Sequence, residues 1–259
     1  MSSPLRAPIV AALPIVAVIV SACGVNAPAS SSPSGLSGTI TVFAASSLSD
    51  AYTTTGKDFQ KANPGTMVKF TFGGSSMLVS QIQQGAIGDV FASADQPNMQ
   101  KLVEGGLISG SPSTFAHNRL ELVVAAGNPQ HVTGLSDLAR SGLVVVLCAP
   151  TVPCGRYAAQ ALKKAGVTAK PSSQEADVKA VVSKVALGEA DAGIVYVTDV
   201  KAAGNRVQGV GIPSDVNVVA DYPVAVLMDS QNPDLAKAFI SYLLGDGERT
   251  LTRYGFTSP

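Results

Sequence analysis

The sequence is poor in the residues from which many functional sites are built. It has no tryptophan, only two histidines (His117 and His131) and only three cysteines (Cys23, Cys148 and Cys154). A zinc site with four His or Cys ligands could barely be assembled from so few candidates. Charged residues make up 14% of the chain, and 18 basic side chains balance 18 acidic ones. The sequence has no basic stripe that would indicate a nucleic-acid partner. It also has no acidic tail that would indicate a basic partner.

Apolar residues are abundant by contrast. They make up 46% of 259 residues, which excludes a disordered chain. A chain of this length forms one large domain or two lobes of roughly 100 to 150 residues each.

The first residues predict export rather than a folded element. An apolar run from Ala7 to Val20 is too short and too rich in proline for a transmembrane helix, so residues 1–22 are interpreted as a signal peptide. The run ends Val-Ser-Ala-Cys, which resembles a lipobox and predicts lipidation of Cys23; an ordinary signal peptide with an incidental cysteine is the alternative. Residues 23–38 are uncharged and rich in Ser, Pro and Gly, so we expect a flexible tether. The sequence thus predicts a domain on the extracytoplasmic face of the cell membrane, attached through lipid alone.

The remaining chain alternates strand and helix patterns. Thr39–Ala44 is predicted as a strand, and apolar side chains from Leu48 to Phe59 recur on one face of a helix. The all-apolar run Leu143–Leu147 is typical of a parallel strand covered on both faces. This alternation predicts an α/β fold with mostly parallel sheets.

Small and hydroxyl residues collect where strands lead into helices. Three such turns are residues 45–47 (Ala-Ser-Ser), 73–76 (Gly-Gly-Ser-Ser) and 153–155 (Pro-Cys-Gly), and a further helix starts near residues 175–178. A helix N-terminus offers free N–H groups and a partial positive charge, which suits an anion. Helix capping explains any one of these turns. Three together, without a phosphate-loop lysine or dinucleotide-binding spacing, favour a shared anion site.

At these turns the chain resembles the periplasmic molybdate-binding proteins of ABC importers. The resemblance extends from Thr39 to Phe256 and rests on several separate motifs in the same order. They are Ile40–Leu48 (ITVFAASSL), Phe72–Ser76 (FGGSS), Gly88–Asp95 (GDVFASAD), Val152–Ala158 (VPCGRYA), Gly188–Tyr196 (GEADAGIVY) and Arg253–Phe256 (RYGF).

The resemblance implies a type II periplasmic-binding-protein-like fold with two lobes and two hinge crossings. We expect the crossings near residues 119–125 and 220–227. Lobe 1 would then comprise residues 39–120 with 221–259, and lobe 2 residues 121–220. A monomer that delivers its ligand to a membrane permease is expected.

The resemblance also implies a set of oxyanion-binding residues. Ser47 and Ser75 would donate from hydroxyl and backbone N–H groups, Cys154 and Val178 from backbone N–H groups, and Tyr196 from its hydroxyl. Molybdate or tungstate would be the ligand, with the metal bound only through its oxygens and no direct protein ligand. No cofactor and no enzymatic activity are expected. For Tyr196 the alternative is an ordinary core tyrosine.

The chain departs from the family pattern at two cysteines. The family usually has Ala in place of Cys154 and Gly-Asp-Pro in place of residues 148–150 (Cys-Ala-Pro). Because both changes introduce cysteine into an exported protein, we predict a Cys148–Cys154 disulfide, with two buried thiols as the alternative. Asp95 is interpreted as structural and Arg156 as a solvated helix residue.

Three other functions remain open from the sequence. The same fold could bind sulfate or another small anion. A hydrolase could use Ser47 or Ser75 as nucleophile, but it would need a histidine base. A surface lipoprotein without a ligand is the third.

Overall fold

The computed structural model describes residues 35–259. The predicted signal peptide, the lipidation site Cys23 and most of the predicted tether lie outside the described residues. The tether prediction extends too far, because the first strand begins at Gly38 and Leu36 already packs against the core. Within the described residues, no helix is long and apolar enough to cross a membrane.

Nine strands and eight α-helices make up the described part. The strands are β1 (Gly38–Ala45), β2 (Thr66–Gly73), β3 (Val90–Ala92), β4 (Ile108–Ala125), β5 (Val145–Cys148), β6 (Ser173–Glu175), β7 (Ala192–Tyr196), β8 (Val207–Gly211) and β9 (Val219–Leu227). The helices are α1 (Ser49–Ala62), α2 (Ser75–Gln83), α3 (Gln96–Glu104), α4 (Pro153–Lys164), α5 (Val178–Ala186), α6 (Val197–Ala203), α7 (Pro233–Leu243) and α8 (Glu248–Arg253). A short 3-10 turn, Ser46–Leu48, joins β1 to α1.

The strands form a sheet with two halves that share the long strand β4. Its order is β2-β1-β3-β9-β4-β7-β5-β6, and β8 also pairs with β4. Residues 108–119 of β4 pair with β9, whereas residues 120–125 pair with β7 and β8. The predicted crossing at 119–125 lies at this change of partner, and the one at 220–227 lies within β9.

The sheet is mixed, which corrects the expectation of mostly parallel pairing. The pairs β1–β2, β1–β3, β5–β6 and β5–β7 are parallel. Every antiparallel pair involves β4 or β9. The strand–helix alternation predicts the parallel pairs correctly. It carries no information about two strands that join the halves and run against their neighbours.

Local patterns account for the elements on both halves. Helix α1 buries Ala51, Tyr52, Thr55 and Phe59 on one face, as its spacing predicts. Helix α5 buries valines 178, 181, 182 and 185 in the same way. Helices therefore cover the parallel strands and leave the carboxyl ends of those strands free to meet a ligand.

Candidate ligand-binding site

A small cavity of about 10 Å³, measured as the space open to the centre of a water-sized sphere, lies between residues that follow the carboxyl ends of the parallel strands. The first wall comes from the β1–β3 half and consists of Ala45, Ser46, Ser47, Gly73, Gly74, Ser75 and Ala94. The second wall comes from the β5–β7 half and consists of Val152, Pro153, Cys154, Asp177, Val178 and Tyr196. The structure thus brings all five predicted oxyanion-binding residues to one cavity. Their role as donors stays a prediction.

Two serine hydroxyls on the first wall are already hydrogen-bonded within the protein. Ser47, in the 3-10 turn after β1, has its Oγ 2.9 Å from the Tyr222 hydroxyl. Ser75 is the first residue of α2, and its Oγ accepts the Ala94 N–H at 3.1 Å. Because Ser75 Oγ accepts from the backbone, its own proton is free for a ligand. Neither the 3-10 turn nor α2 has a side-chain cap at its N-terminus.

The start of α4 supplies the Cys154 part of the second wall. Pro153 and Cys154 are its first two residues, and no side chain caps this end either, so the Cys154 N–H has no intrahelical partner. The predicted disulfide joins Cys148 to Cys154, with Cα atoms 5.8 Å apart. The next residue, Gly155, packs so closely on Ala149 that a side-chain carbon would overlap the Ala149 carbonyl oxygen. The helix end that carries the Cys154 N–H is therefore fixed to the end of β5.

Helix α5 differs because its N-terminus has a side-chain cap. Asp177 Oδ1 accepts the N–H groups of Lys179 at 2.8 Å and Ala180 at 3.1 Å. The cap leaves the first amide of the helix, that of Val178, without a side-chain partner. Val178 itself is buried at the cavity.

Tyr196 ends β7 with its hydroxyl buried at the cavity. The side chain is 1% exposed, and its Oη has no hydrogen-bond partner among the residues that the structure describes. A buried polar atom without a partner is costly, so this hydroxyl is an indication of an absent ligand. Burial raises the pKa of Tyr196 well above its ordinary value, so the phenol stays protonated and able to donate.

No residue that lines the cavity carries a positive side chain. Arg156 and Lys179, the cations nearest in sequence to lining residues, form ion pairs elsewhere. Arg156, two residues after Cys154, pairs with the buried Asp95 carboxylate, which also caps α3. The expectation of a solvated Arg156 is thus wrong: its side chain is 27% exposed and links α4 to the loop after β3. Asp95 is structural, as expected.

A second ion pair links the two halves on α1 and α5. Lys179 Nζ lies 2.6 Å from Asp50 and 3.3 Å from the fully buried Asp199. Burial raises the pKa of Asp199 to about 6, although Lys179 opposes the shift. The positive charge of Lys179 is therefore shared between two carboxylates and is not directed at the cavity.

The structure offers no histidine to the cavity serines. His117 Nδ1 lies 2.8 Å from Asp221, and neither His117 nor His131 lines the cavity. A serine nucleophile would lack its base there. In residues 35–259, no group of three or more His, Cys, Asp or Glu side chains could hold a metal ion.

Sequence reasoning missed the residues that support the first wall from behind. Tyr222 on β9 contacts Ser47, and Asn118 on β4 contacts Tyr222. Both lie on long strands whose pattern indicates only burial. Asn118 stands between His117 and Arg119, so no local pattern distinguishes it as a functional residue.

Comparison with known proteins adds a family and several relatives. Residues 40–257 match the family model of bacterial extracellular solute-binding proteins. The molybdate-binding protein ModA of Mycobacterium tuberculosis is 43% identical over 241 residues, which cover 92% of each chain.

Two solved structures share the fold. The periplasmic molybdate-binding protein of Azotobacter vinelandii has a TM-score of 0.74 at 23% identity, over 85% of this chain and 99% of its own. The sulfate-binding protein SubI of M. tuberculosis has a TM-score of 0.77 at 19% identity, over 85% and 86%. These likenesses confirm the predicted two-lobed periplasmic-binding-protein fold. Because the two neighbours are named for different anions, the fold alone does not identify the ligand.

Proposed function

The chain belongs to the family of bacterial extracellular solute-binding proteins, and we propose that it captures molybdate, and also tungstate, for an ABC importer. The observation that carries the proposal is the cavity, where the five residues that the resemblance implies as donors lie together, the buried and unpartnered Tyr196 hydroxyl among them. The 43% identity to a molybdate-binding relative across 92% of the chain supports the same ligand.

The chemistry of the cavity suits a tetrahedral dianion. Ser47, Ser75 and Tyr196 provide hydroxyl donors. Ser47, Ser75, Cys154 and Val178 also provide backbone N–H groups at helix starts. Aligned amides and helix N-termini stabilise negative charge without a buried countercharge. A countercharge would be costly whenever the site is empty. Molybdenum or tungsten would be bound only through its oxygens.

The site then has to distinguish anions of equal charge and shape by their size. Sulfate has shorter bonds to oxygen than molybdate, so we expect it to make weaker contacts with donors on two opposite walls. Molybdate and tungstate are nearly equal in size, and one cavity should accept both.

The proposed setting follows from the chain's N-terminal sequence. Lipid on Cys23 would hold the domain on the extracytoplasmic face of the membrane, where a monomer closes on its ligand and meets the permease. Closure of two lobes around a ligand is the usual hinge motion of such proteins. Radiolabelled acyl-chain incorporation that is lost in the Cys23→Ala variant tests the anchor.

Calorimetric titration of the purified protein with molybdate, tungstate and sulfate tests the ligand. We expect one-to-one binding of the first two ions, at least about tenfold tighter than that of sulfate, or 1.4 kcal/mol. Equal or tighter binding of sulfate would show that the cavity selects a smaller anion. No heat with any of the three ions would contradict the proposal.

A further inference from the structure

A buried hydrogen-bond chain reaches Ser47 from behind the cavity. It runs from Asn118 on β4 through Tyr222 on β9 to Ser47 Oγ, and all three side chains are buried. Neither Asn118 nor Tyr222 lines the cavity. We propose that Tyr222 and Asn118 are positioning residues that fix the Ser47 hydroxyl as a donor, so that the site discriminates against oxyanions that carry a proton. The inference rests on the proposed function and narrows its substrate class.

The orientation of the Asn118 amide determines which group donates in each of these hydrogen bonds. The Arg119 N–H donates to Asn118 Oδ1 at 2.9 Å, which identifies that atom as the oxygen. Asn118 Nδ2 therefore faces Thr198 Oγ1 at 2.8 Å and the Tyr222 hydroxyl at 3.4 Å. An amide nitrogen can only donate, so the Tyr222 oxygen accepts.

The single proton of Tyr222 must then go to Ser47. Among the residues that the structure describes, Ser47 Oγ is the acceptor within reach of the Tyr222 hydroxyl, at 2.9 Å. Burial raises the pKa of Tyr222, so the proton is retained at all ordinary pH values. With Tyr222 donating to its oxygen, Ser47 turns its own proton away from Tyr222 and toward the cavity.

The Ser75 hydroxyl is oriented like that of Ser47, but by a different hydrogen-bond donor. Its Oγ accepts the Ala94 N–H, which likewise leaves the hydroxyl proton for the ligand. Ser47 and Ser75 thus each present a proton where a ligand oxygen would lie. A P–OH group placed there would meet a donor instead of an acceptor, which is an unfavourable contact.

The Tyr222→Phe variant separates this role from simple packing. Without the phenol, Ser47 can rotate and accept a proton from a ligand. We expect molybdate affinity to fall by about tenfold, the size expected for a hydrogen bond to a charged group. We expect affinity for inorganic phosphate to stay constant or rise, so the ratio of molybdate affinity to phosphate affinity falls by at least about tenfold. Competition titrations measure both ions on the same preparation.

The matched control is Tyr52→Phe. Tyr52 is an equally buried tyrosine whose hydroxyl has no partner in residues 35–259, and its pKa is also raised by burial. This variant should leave the ratio unchanged. An unchanged ratio in Tyr222→Phe, or an equal change in Tyr52→Phe, would overturn the inference.

A second pair of variants decides the matter if Tyr222→Phe does not fold. Asn118→Ala removes the donor to Tyr222, whereas Thr198→Val removes only the other acceptor of the same amide. The ratio should fall in Asn118→Ala and stay constant in Thr198→Val; the same ratio in both would reject the proposal. Failure of the wild type to bind molybdate would instead contradict the proposed function itself.

Discussion

The two walls of the cavity hold their proposed donors in different ways. On the first wall, the Ser47 and Ser75 hydroxyls are side-chain groups that hydrogen bonds fix from behind. On the second wall, Cys154 and Val178 have backbone N–H groups at helix starts. The packing of Gly155 on Ala149 and a disulfide hold the start of α4, and an aspartate cap holds the start of α5. Tyr196 is the exception there, because its hydroxyl has no protein partner.

This difference determines which substitutions can affect binding. A side-chain donor disappears when its residue is replaced, whereas a backbone donor survives replacement and is lost only when its helix moves. The width of the gap between the walls depends on the backbone positions of both walls, so a substitution that pushes the walls apart affects every donor. The largest effect on affinity is therefore expected from widening the gap, a smaller one from the unpartnered Tyr196 hydroxyl and the smallest from the disulfide.

The largest effect is expected where the two walls touch. Gly74 on the first wall is so close to the second that a Cβ would lie 2.5 Å from the Ala176 carbonyl oxygen. Gly74→Ala should hold the walls apart and lower ligand affinity by at least about 100-fold, or 2.7 kcal/mol. Its φ of −61° accommodates alanine, so the melting temperature without ligand should change little.

The control for Gly74→Ala is Gly211→Ala. Gly211 lies at the end of β8 with no atom near its would-be Cβ, so this variant should bind normally. Titration calorimetry and thermal unfolding of both variants measure the two effects separately. Wild-type affinity in Gly74→Ala would show that the walls do not need this contact distance in the bound state.

The sequence predicts much of this arrangement because strand ends and helix starts have clear local signals. The strands that end at Ala45, Gly73 and Tyr196 all follow apolar patterns of the expected period. Open α/β sheets place ligands at such ends, so the cavity could be expected there. The resemblance to a known family then indicated which residues at those ends would donate.

The features that the sequence did not predict depend on contacts between segments that are far apart in sequence. The Asp95–Arg156 pair joins residues 61 positions apart, and the Ser47–Tyr222 contact joins residues 175 apart. Local periodicity carries no information about such partners. The short elements β6, α6, β8 and α8 were not predicted for another reason, because three to seven residues are too few to show a clear period.

Tyr196 should give the next largest effect. Its hydroxyl makes no hydrogen bond in the described part of the protein, so Tyr196→Phe removes a buried unsatisfied group. The free energy of unfolding without ligand should stay constant or rise, while molybdate affinity falls by about tenfold. Thermal unfolding with and without molybdate measures both changes in one experiment.

Tyr52→Phe is again the matched control for this prediction. It removes a second unpartnered hydroxyl from the core and should leave molybdate affinity unchanged. Destabilised Tyr196→Phe protein with normal affinity would identify Tyr196 as a core tyrosine and remove it from the donor set.

The smallest effect on affinity is expected from the disulfide. Replacing both Cys148 and Cys154 by serine opens a short loop, for which the chain-entropy model gives about 2 kcal/mol of lost stability. The Cys154 N–H persists in the variant, and the close packing of Gly155 on Ala149 still places the helix start. Molybdate affinity should therefore fall by less than about threefold, or 0.6 kcal/mol.

Denaturant unfolding and titration of the double variant measure these two quantities. Treating the wild type with a reducing agent should reproduce the loss of stability, and the same treatment of the double variant should change nothing. An affinity loss as large as that of Tyr196→Phe would mean that the disulfide, and not the helix packing, positions the amide. The second wall would then depend on a covalent bond in the way that the first wall depends on hydrogen bonds.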